Sequence, residues 1–183
     1  MPLVKNGKVV EDPYRQISDD ASVSDDAAVI VSAARLLANA GDLLHRSGPT
    51  GVLWPNARNV SELGPFLDRL AVVALVFPTF RDGRAYSQAR ILREKYKFRG
   101  ELRATGQVLR DQFQFLQRAG FDAFDVKKAM DAAAFVEAVH RFSAFYQPGA
   151  DGQSTIFRRR LEAVQQRSNA EAVPAGIENL DRR

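Results

Sequence analysis

Apolar and polar positions follow two rhythms along the chain: short extended runs, and stripes at helical spacing. Leu3-Val-Lys-Asn-Gly-Lys-Val-Val10 flanks Asn6-Gly7 with apolar residues. That dipeptide adopts the positive φ angles of a type I′ turn, which predicts a hairpin over residues 2–11. Residues 12–26 are polar and irregular and read as a loop. Ala28-Val-Ile-Val-Ser32 is a β-branched run, followed by a helical stripe of Leu36, Leu37, Leu43 and Leu44. Gly51-Val-Leu-Trp54 predicts a second strand, and Val60, Leu63, Phe66, Leu67 and Leu70 form the next stripe, with Asn59 and Glu62 at capping-box spacing. Ala71-Val-Val-Ala-Leu-Val-Phe77 is a third, fully buried strand, delivering a polar turn to a helix that carries Arg84, Arg90 and Arg93.

Glu101-Leu-Arg-Ala-Thr105 predicts a fourth strand. Gln107 to Arg118 then reads as a helix with Val108, Leu109, Phe113, Phe115 and Leu116 as its apolar positions. Phe121-Asp-Ala-Phe-Asp-Val126 reads as a fifth strand. Asp131 caps a last helix that turns Phe135, Val136, Val139 and Phe142 inward, and Ser154 to Phe157 forms one more short strand. Strand starts near 28, 51, 72, 101 and 121 are spaced as βα units. Alternation of strand and helix argues for an α/β domain with a mainly parallel sheet of about five βα units and right-handed crossovers. Five units are too few for a closed eight-stranded barrel, which leaves an open sandwich or a partial, barrel-like sheet. One domain over residues 1–160 is expected, with a polar, flexible tail over 161–183.

Composition narrows the chemistry. With no cysteine, the chain supplies no thiolate to an iron–sulfur cluster or a haem, no thiol nucleophile and no disulfide. Two histidines, His45 and His140, are too few for a His-rich metal site, so no metal is expected. Net charge is +4 and unevenly spread: Asp19, Asp20, Asp25 and Asp26 make the early segment acidic, while residues 81–118 and the tail from Arg158 are rich in Arg. That asymmetry points to a small anion or an acidic protein surface. Interspersed Asp and Glu argue against nucleic acid. No cationic leader precedes an apolar run, and the stretch from Leu70 to Phe77 falls far short of the roughly 20 residues a membrane helix needs. A cytoplasmic protein without membrane contact is expected.

In parallel sheets, sites gather at the carboxyl ends of the strands. The third end is the richest, with Thr79, Arg81 and Asp82 ahead of Gly83. Helix-start amides together with Arg81, Asp82, Gly83, Arg84, Ser87, Arg90 and Arg103 form the predicted anion site. Asp82 and Gly83 serve equally well as a plain helix cap and turn. On the fourth strand Glu101, Arg103 and Thr105 share one face. Strands covered on both faces are normally apolar, so this pair lies at a sheet edge, in an internal polar cluster, or in the mouth of a pocket. Arg110, Asp111 and Gln112 either join that network or form helix surface. Tyr86 and Glu101 are the candidate proton carriers. Phe113, Phe115, Phe121 and Phe124 read as core, and Trp54 as packing. No Ser–His–Asp set, phosphate-cradling P-loop or dinucleotide fingerprint is present.

Three stretches resemble a bacterial family of unknown function: Phe77-Pro-Thr-Phe-Arg-Asp-Gly-Arg-Ala-Tyr-Ser-Gln-Ala-Arg-Ile-Leu-Arg93, Phe98-Arg-Gly-Glu-Leu-Arg-Ala-Thr-Gly-Gln-Val-Leu-Arg-Asp-Gln112 and Gly120-Phe-Asp-Ala-Phe124. The resemblance runs from the hairpin to about Arg160. Its motif residues fall at Asp82, Gly83, Arg84, Tyr86, Ser87, Arg90, Arg93, Glu101, Arg103, Arg110, Asp111 and Gln112. Members of that family are often labelled oxidoreductases involved in sulfite reduction. The label implies a partner among sulfate-assimilation proteins, such as a sulfite reductase. Sulfite reduction moves several electrons, and a chain without cysteine fits an accessory, anion-binding role there. The alternative is a small enzyme in which Arg81, Arg84 and Arg103 clamp an anionic substrate while Tyr86 or Glu101 moves a proton.

Overall fold

The computed structural model describes residues 2–5, 7–126, 133–134, 137–138 and 142–171. These fall into two compact units: Met1–Arg141 with Gly149–Asp151, and Phe142–Pro148 with Gly152–Arg183.

Among the described residues the first unit holds eight strands: β1 (Leu3–Lys5), β2 (Lys8–Val10), β3 (Arg15–Gln16), β4 (Val29–Ser32), β5 (Thr50–Trp54), β6 (Leu70–Phe77), β7 (Glu101–Gly106) and β8 (Ala123–Asp125). They form one sheet in the order β2-β1-β8-β7-β6-β5-β4-β3. β3 to β8 run parallel in sequence order. β1 is antiparallel to both β2 and β8. The sheet is mixed and mostly parallel, as the α/β reading expects, but it exceeds five units. β3 is two polar residues inside the stretch read as a loop, and the hairpin joins the sheet instead of standing apart.

Chain length makes this sheet curl. β2 and β3 are its opposite edges, seven inter-strand steps or about 34 Å apart if the sheet were flat. Yet only Glu11 to Tyr14 connect Val10 to Arg15, a reach of at most about 18 Å. The edges must therefore bend towards each other, and the connection crosses the concave face as a strap.

The register assigns the faces. Val52, Val73 and Leu102 are successive partners, as are Trp54, Leu75 and Ala104, and they point to the convex side. There they pack with Leu36, Leu63, Ala85, Ala89, Leu92, Phe113 and Leu116 into the hydrophobic core. The helices bring these residues: α1 (Ala33–Leu44), α2 (Arg84–Arg90), running on into a π turn over Ile91–Lys95, and α3 (Phe113–Arg118). Ser32 caps α1, its hydroxyl accepting from the Arg35 N–H at 3.0 Å. The stripe after β5 forms a 3₁₀ helix, Val60–Phe66, because Gly64 and Pro65 interrupt it, and Leu70 begins β6. Asn59 caps this turn through Ser61 N, while Glu62 pairs with Arg58.

Two aromatic assignments need correction. Phe113, Phe121 and Phe124 are buried, but Phe115 is 66% exposed, because the helix following β7 begins with a 3₁₀ turn, Arg110–Gln112, that rotates it outward. Phe142, expected inward, is 55% exposed. Asp131, Phe135, Val136 and Val139 lie outside the described residues. In the second unit the strand expected at 154–157 is reduced to one bridge between Phe145 and Thr155, and α4 (Ile156–Glu171) follows at once. Tyr146 packs edge-on against Phe157 there, ring centroids 5.8 Å apart. Among the described residues no helix is long and apolar enough to cross a membrane.

Candidate functional site

Two clusters contain the residues singled out by the sequence. The first is a rim at the carboxyl ends of β6 and β7. Gly106 ends β7 at φ +94, where a Cβ would lie 2.4 Å from the Phe77 carbonyl oxygen, so only glycine lets the strands part here. Gln107 N donates to Phe77 O at 2.8 Å, and its side-chain oxygen accepts from Phe80 N at 3.3 Å. Gln112 closes the loop pair: its Nε2 donates to Phe80 O at 3.0 Å and its Oε1 accepts from Leu109 N at 3.3 Å. Of the predicted network, Gln112 is thus the member that ties the loops together, while Arg110 and Asp111 are exposed.

Asp82 accepts from Arg84 N at 3.3 Å and forms a two-pronged pair with the Arg84 guanidinium at 2.9 and 2.6 Å. The guanidinium beside it holds the Asp82 carboxyl well below the usual carboxylate range. Gly83 is the cap residue of α2. Ser87 is exposed, and Arg90 pairs with Glu94 at 2.8 Å on the outer face of the helix. Arg81 is exposed and lies over the Phe80 ring at 5.4 Å. Tyr86 packs edge-on against Phe77, and burial, with the Asp111 charge, pushes its phenol up to about 12. It therefore stays protonated near neutrality and can donate a hydrogen bond, but it is a poor base. Gln88, which sequence reasoning passed over, is buried and donates to Arg58 O at 2.8 Å, pinning α2 to the loop after β5.

The second cluster lies inside the curl. The Arg103 side chain is only 3% exposed. Its guanidinium donates to both carboxylate oxygens of Asp12 on the strap, at 2.6 and 3.0 Å, and to Glu101 at 2.9 Å. Glu101 also accepts from Lys5 of β1 at 2.8 Å. The Tyr14 ring lies 5.7 Å from Arg103, and Asp125 of β8 stands 3.9 Å away. Of the three placements open to the Glu101–Arg103 pair, the internal polar cluster is the one realised. Burial raises the Asp12 carboxyl, but the Arg103 hydrogen bonds and the Tyr14 N–H outweigh it and leave it below the ordinary value. Burial raises Asp125, and Thr105 and Arg103 only partly offset this. Lys5 is raised by its hydrogen bond to Glu101.

The clusters are separate. Arg103 pairs in register with Ala74, three residues before the end of β6, which sets it roughly 10 Å along the strand from the rim loops. Lys5, Asp12, Tyr14 and Asp125 carried no signal of their own. Alternation within residues 121–126 places Asp125 on the face of Ala123, but a partner 91 residues away, as Asp12 is to Arg103, leaves no local trace. Arg93, a residue of the resemblance, is structural: it donates to the carbonyls of Gly120, Phe98 and Gly100 and pairs with Asp122. Among the described residues no group of three or more His, Asp or Glu side chains is arranged to hold a metal ion.

A family model described as a bacterial protein of unknown function (DUF934) matches residues 51–157, from β5 into the second unit, and the chain belongs to that family. No curated protein matches the chain.

Proposed function

We propose, taking membership of this bacterial family as the premise, that the protein is an accessory, anion-binding component of assimilatory sulfite reduction and supports a sulfite reductase without catalysing the reduction. The observation that carries this reading is the rim. Arg81 and Arg110 are exposed and have no carboxylate partner among the described residues, while Gln112 locks their loops side by side. Arg84, three residues after Arg81, adds a further exposed guanidinium, shared with Asp82. Exposed cations on a fixed loop pair attract a small oxyanion or an acidic surface. The absence of cysteine fits a partner that leaves electron transfer to another protein.

The enzyme reading, an anion clamped by Arg81, Arg84 and Arg103 with Tyr86 or Glu101 moving a proton, draws less support. Arg103 and Glu101 are engaged with each other, with Asp12 and with Lys5. Thermal melts with sulfate, sulfite and adenosine phosphosulfate, alongside co-purification with the reductase from a native lysate, test the proposal. A raised Tm that Arg81→Ala or Arg110→Ala abolishes, or association with the reductase that those variants weaken, supports it. No response to any of the anions together with no association overturns it.

A further inference from the structure

Apart from the rim and the interior cluster, the described residues form a cavity of about 280 Å³ between α1 and the loop that precedes β4. Val23 comes from the loop. Arg35, Asn39, Asp42, Leu43 and Arg46 come from α1 and the turn after it, spaced so that they share one helix face. Two tethers hold the loop over that face. Arg35 donates to the carbonyls of Ser18 and Ala21, both at 2.6 Å. Arg46 donates to those of Ser24 and Ala27 at 2.6 and 2.7 Å, and to the Thr50 hydroxyl at 3.2 Å. Val23 falls between the tethers in sequence and packs against the core cluster to which the buried Leu43 belongs.

Charge decides what kind of ligand fits. Every partner of these two guanidiniums is a neutral oxygen, and among the described residues no carboxylate pairs with either. Arg46 Nε is buried with no hydrogen-bond partner. Arg35 gives the loop one bond from each terminal nitrogen and has N–H groups to spare. Two guanidiniums without a counter-ion suit a carboxylate, which matches their planar fork. A ligand that is only negative fits less well. Asp42 lines the same cavity without a partner among the described residues. The loop adds Asp19, Asp20, Asp25 and Asp26, with Asp25 accepting from the Ser47 hydroxyl at 2.7 Å. Residues 18–47 thus carry five Asp against two Arg, a net charge of −3 with His45 neutral. Arg69 approaches only Leu44 O, at 3.5 Å, and does not line the cavity. Such a field favours a ligand that brings a positive group of its own. We propose that this cavity binds a free amino acid, its carboxylate held by Arg35 and Arg46 and its ammonium by Asp42, with Val23 and Leu43 beside its side chain. The volume equals about nine water molecules, which restricts the ligand to a small amino acid.

All the lining residues precede the span 51–157 that the family model matches, so the site rests neither on that membership nor on the rim. Backbone amide shifts of the full chain are followed by NMR during titration with L-alanine, acetate and L-alaninamide at about pH 7, where carboxylates and amines are charged. Alanine is expected to move the amides of residues 23, 35, 39, 42 and 46. It should bind at least about fivefold more tightly than acetate, which lacks the ammonium, or alaninamide, which lacks the carboxylate. Asp42→Asn, at an exposed position, should bring alanine down to the level of acetate. Arg35→Met should abolish alanine binding, with Asp42→Asn read in its place should the methionine variant fail to fold. Acetate or alaninamide matching alanine, no shift at these residues, a folded Arg35→Met that still binds, or an undiminished preference for alanine in Asp42→Asn would each overturn the proposal. Sulfate titrated into the same chain reports on the rim at residues 79–84 and 107–112, so either site can fail without the other.

Discussion

Arg84 and Arg103 each hold an aspartate with two nitrogens, yet they do opposite things. Arg84 binds Asp82 two residues away, with its own side chain 59% exposed. Its pair shapes a turn, and water competes for it throughout. Arg103 is 3% exposed and binds Asp12 across 91 residues, so its pair joins the strap to the middle of the sheet. Out in solvent an ion pair contributes little to stability and leaves its cation available. In the interior the same chemistry becomes a commitment, because removing the buried Arg103 takes from Asp12 and Glu101 the guanidinium they share. The rim is therefore suited to recognition and the interior to holding the curl together.

The largest effect that would break this contrast is Arg103→Met. It leaves Asp12 and Glu101 facing one another with only Lys5 for compensation, and should cost about 3–5 kcal/mol in urea unfolding. A loss below about 1 kcal/mol would mean that the interior pair behaves like a surface one.

A medium effect is the acid and alkaline shape of stability. Asp12 is lowered in the folded chain, so below the ordinary aspartate value the unfolded chain takes up protons first and stability falls as pH falls. Asp125 is raised, so the folded chain keeps its proton longer, and stability declines as pH rises from the ordinary value through the raised one. Asp12→Asn should flatten the first slope and Asp125→Asn the second, measured as unfolding midpoints from pH 2 to 8. Both variants keeping both slopes would remove these groups from the account.

The smallest expected effect is Arg84→Ala: no resolvable change in Tm, but a weaker sulfate response. A substantial fall in Tm would show that the exposed pair supports the fold after all.

Much of the frame is readable from residues alone. β4 to β8 begin at 29, 50, 70, 101 and 123, close to the starts that apolar runs mark at 28, 51, 72, 101 and 121. Asn6-Gly7 foretells the pairing of Leu3 with Val10. These signals are local: hydrophobic runs, turn dipeptides and stop residues. Arg15 and Gln16 of β3 give none, since two polar residues at an edge gain strand geometry only from the neighbour they meet. The curl follows from which strands become edges, and that depends on β1 reaching β8. Of the candidate site, the rim loop could be located from the strand that precedes it. Glu101 and Arg103 on one face marked β7 as an exception to an apolar strand but left a sheet edge, an internal cluster and a pocket mouth open, and Asp12, Lys5 and Asp125 come from segments whose own sequence is unremarkable. Phe115 shows the remaining limit: a helix stripe assumes regular turns, and one 3₁₀ start rotates a residue out of it.

The meeting of β1 with β8 also bears on how the protein is made. Residues 3–5 leave the ribosome well before their partner strand, 123–125, which follows only after most of the sheet has been synthesised. Until then Lys5 has no Glu101 and the strap has no Arg103 to grip. The nascent chain must carry an undocked hairpin until residue 125 has emerged, and closing so long a loop is the step that should set the pace of folding.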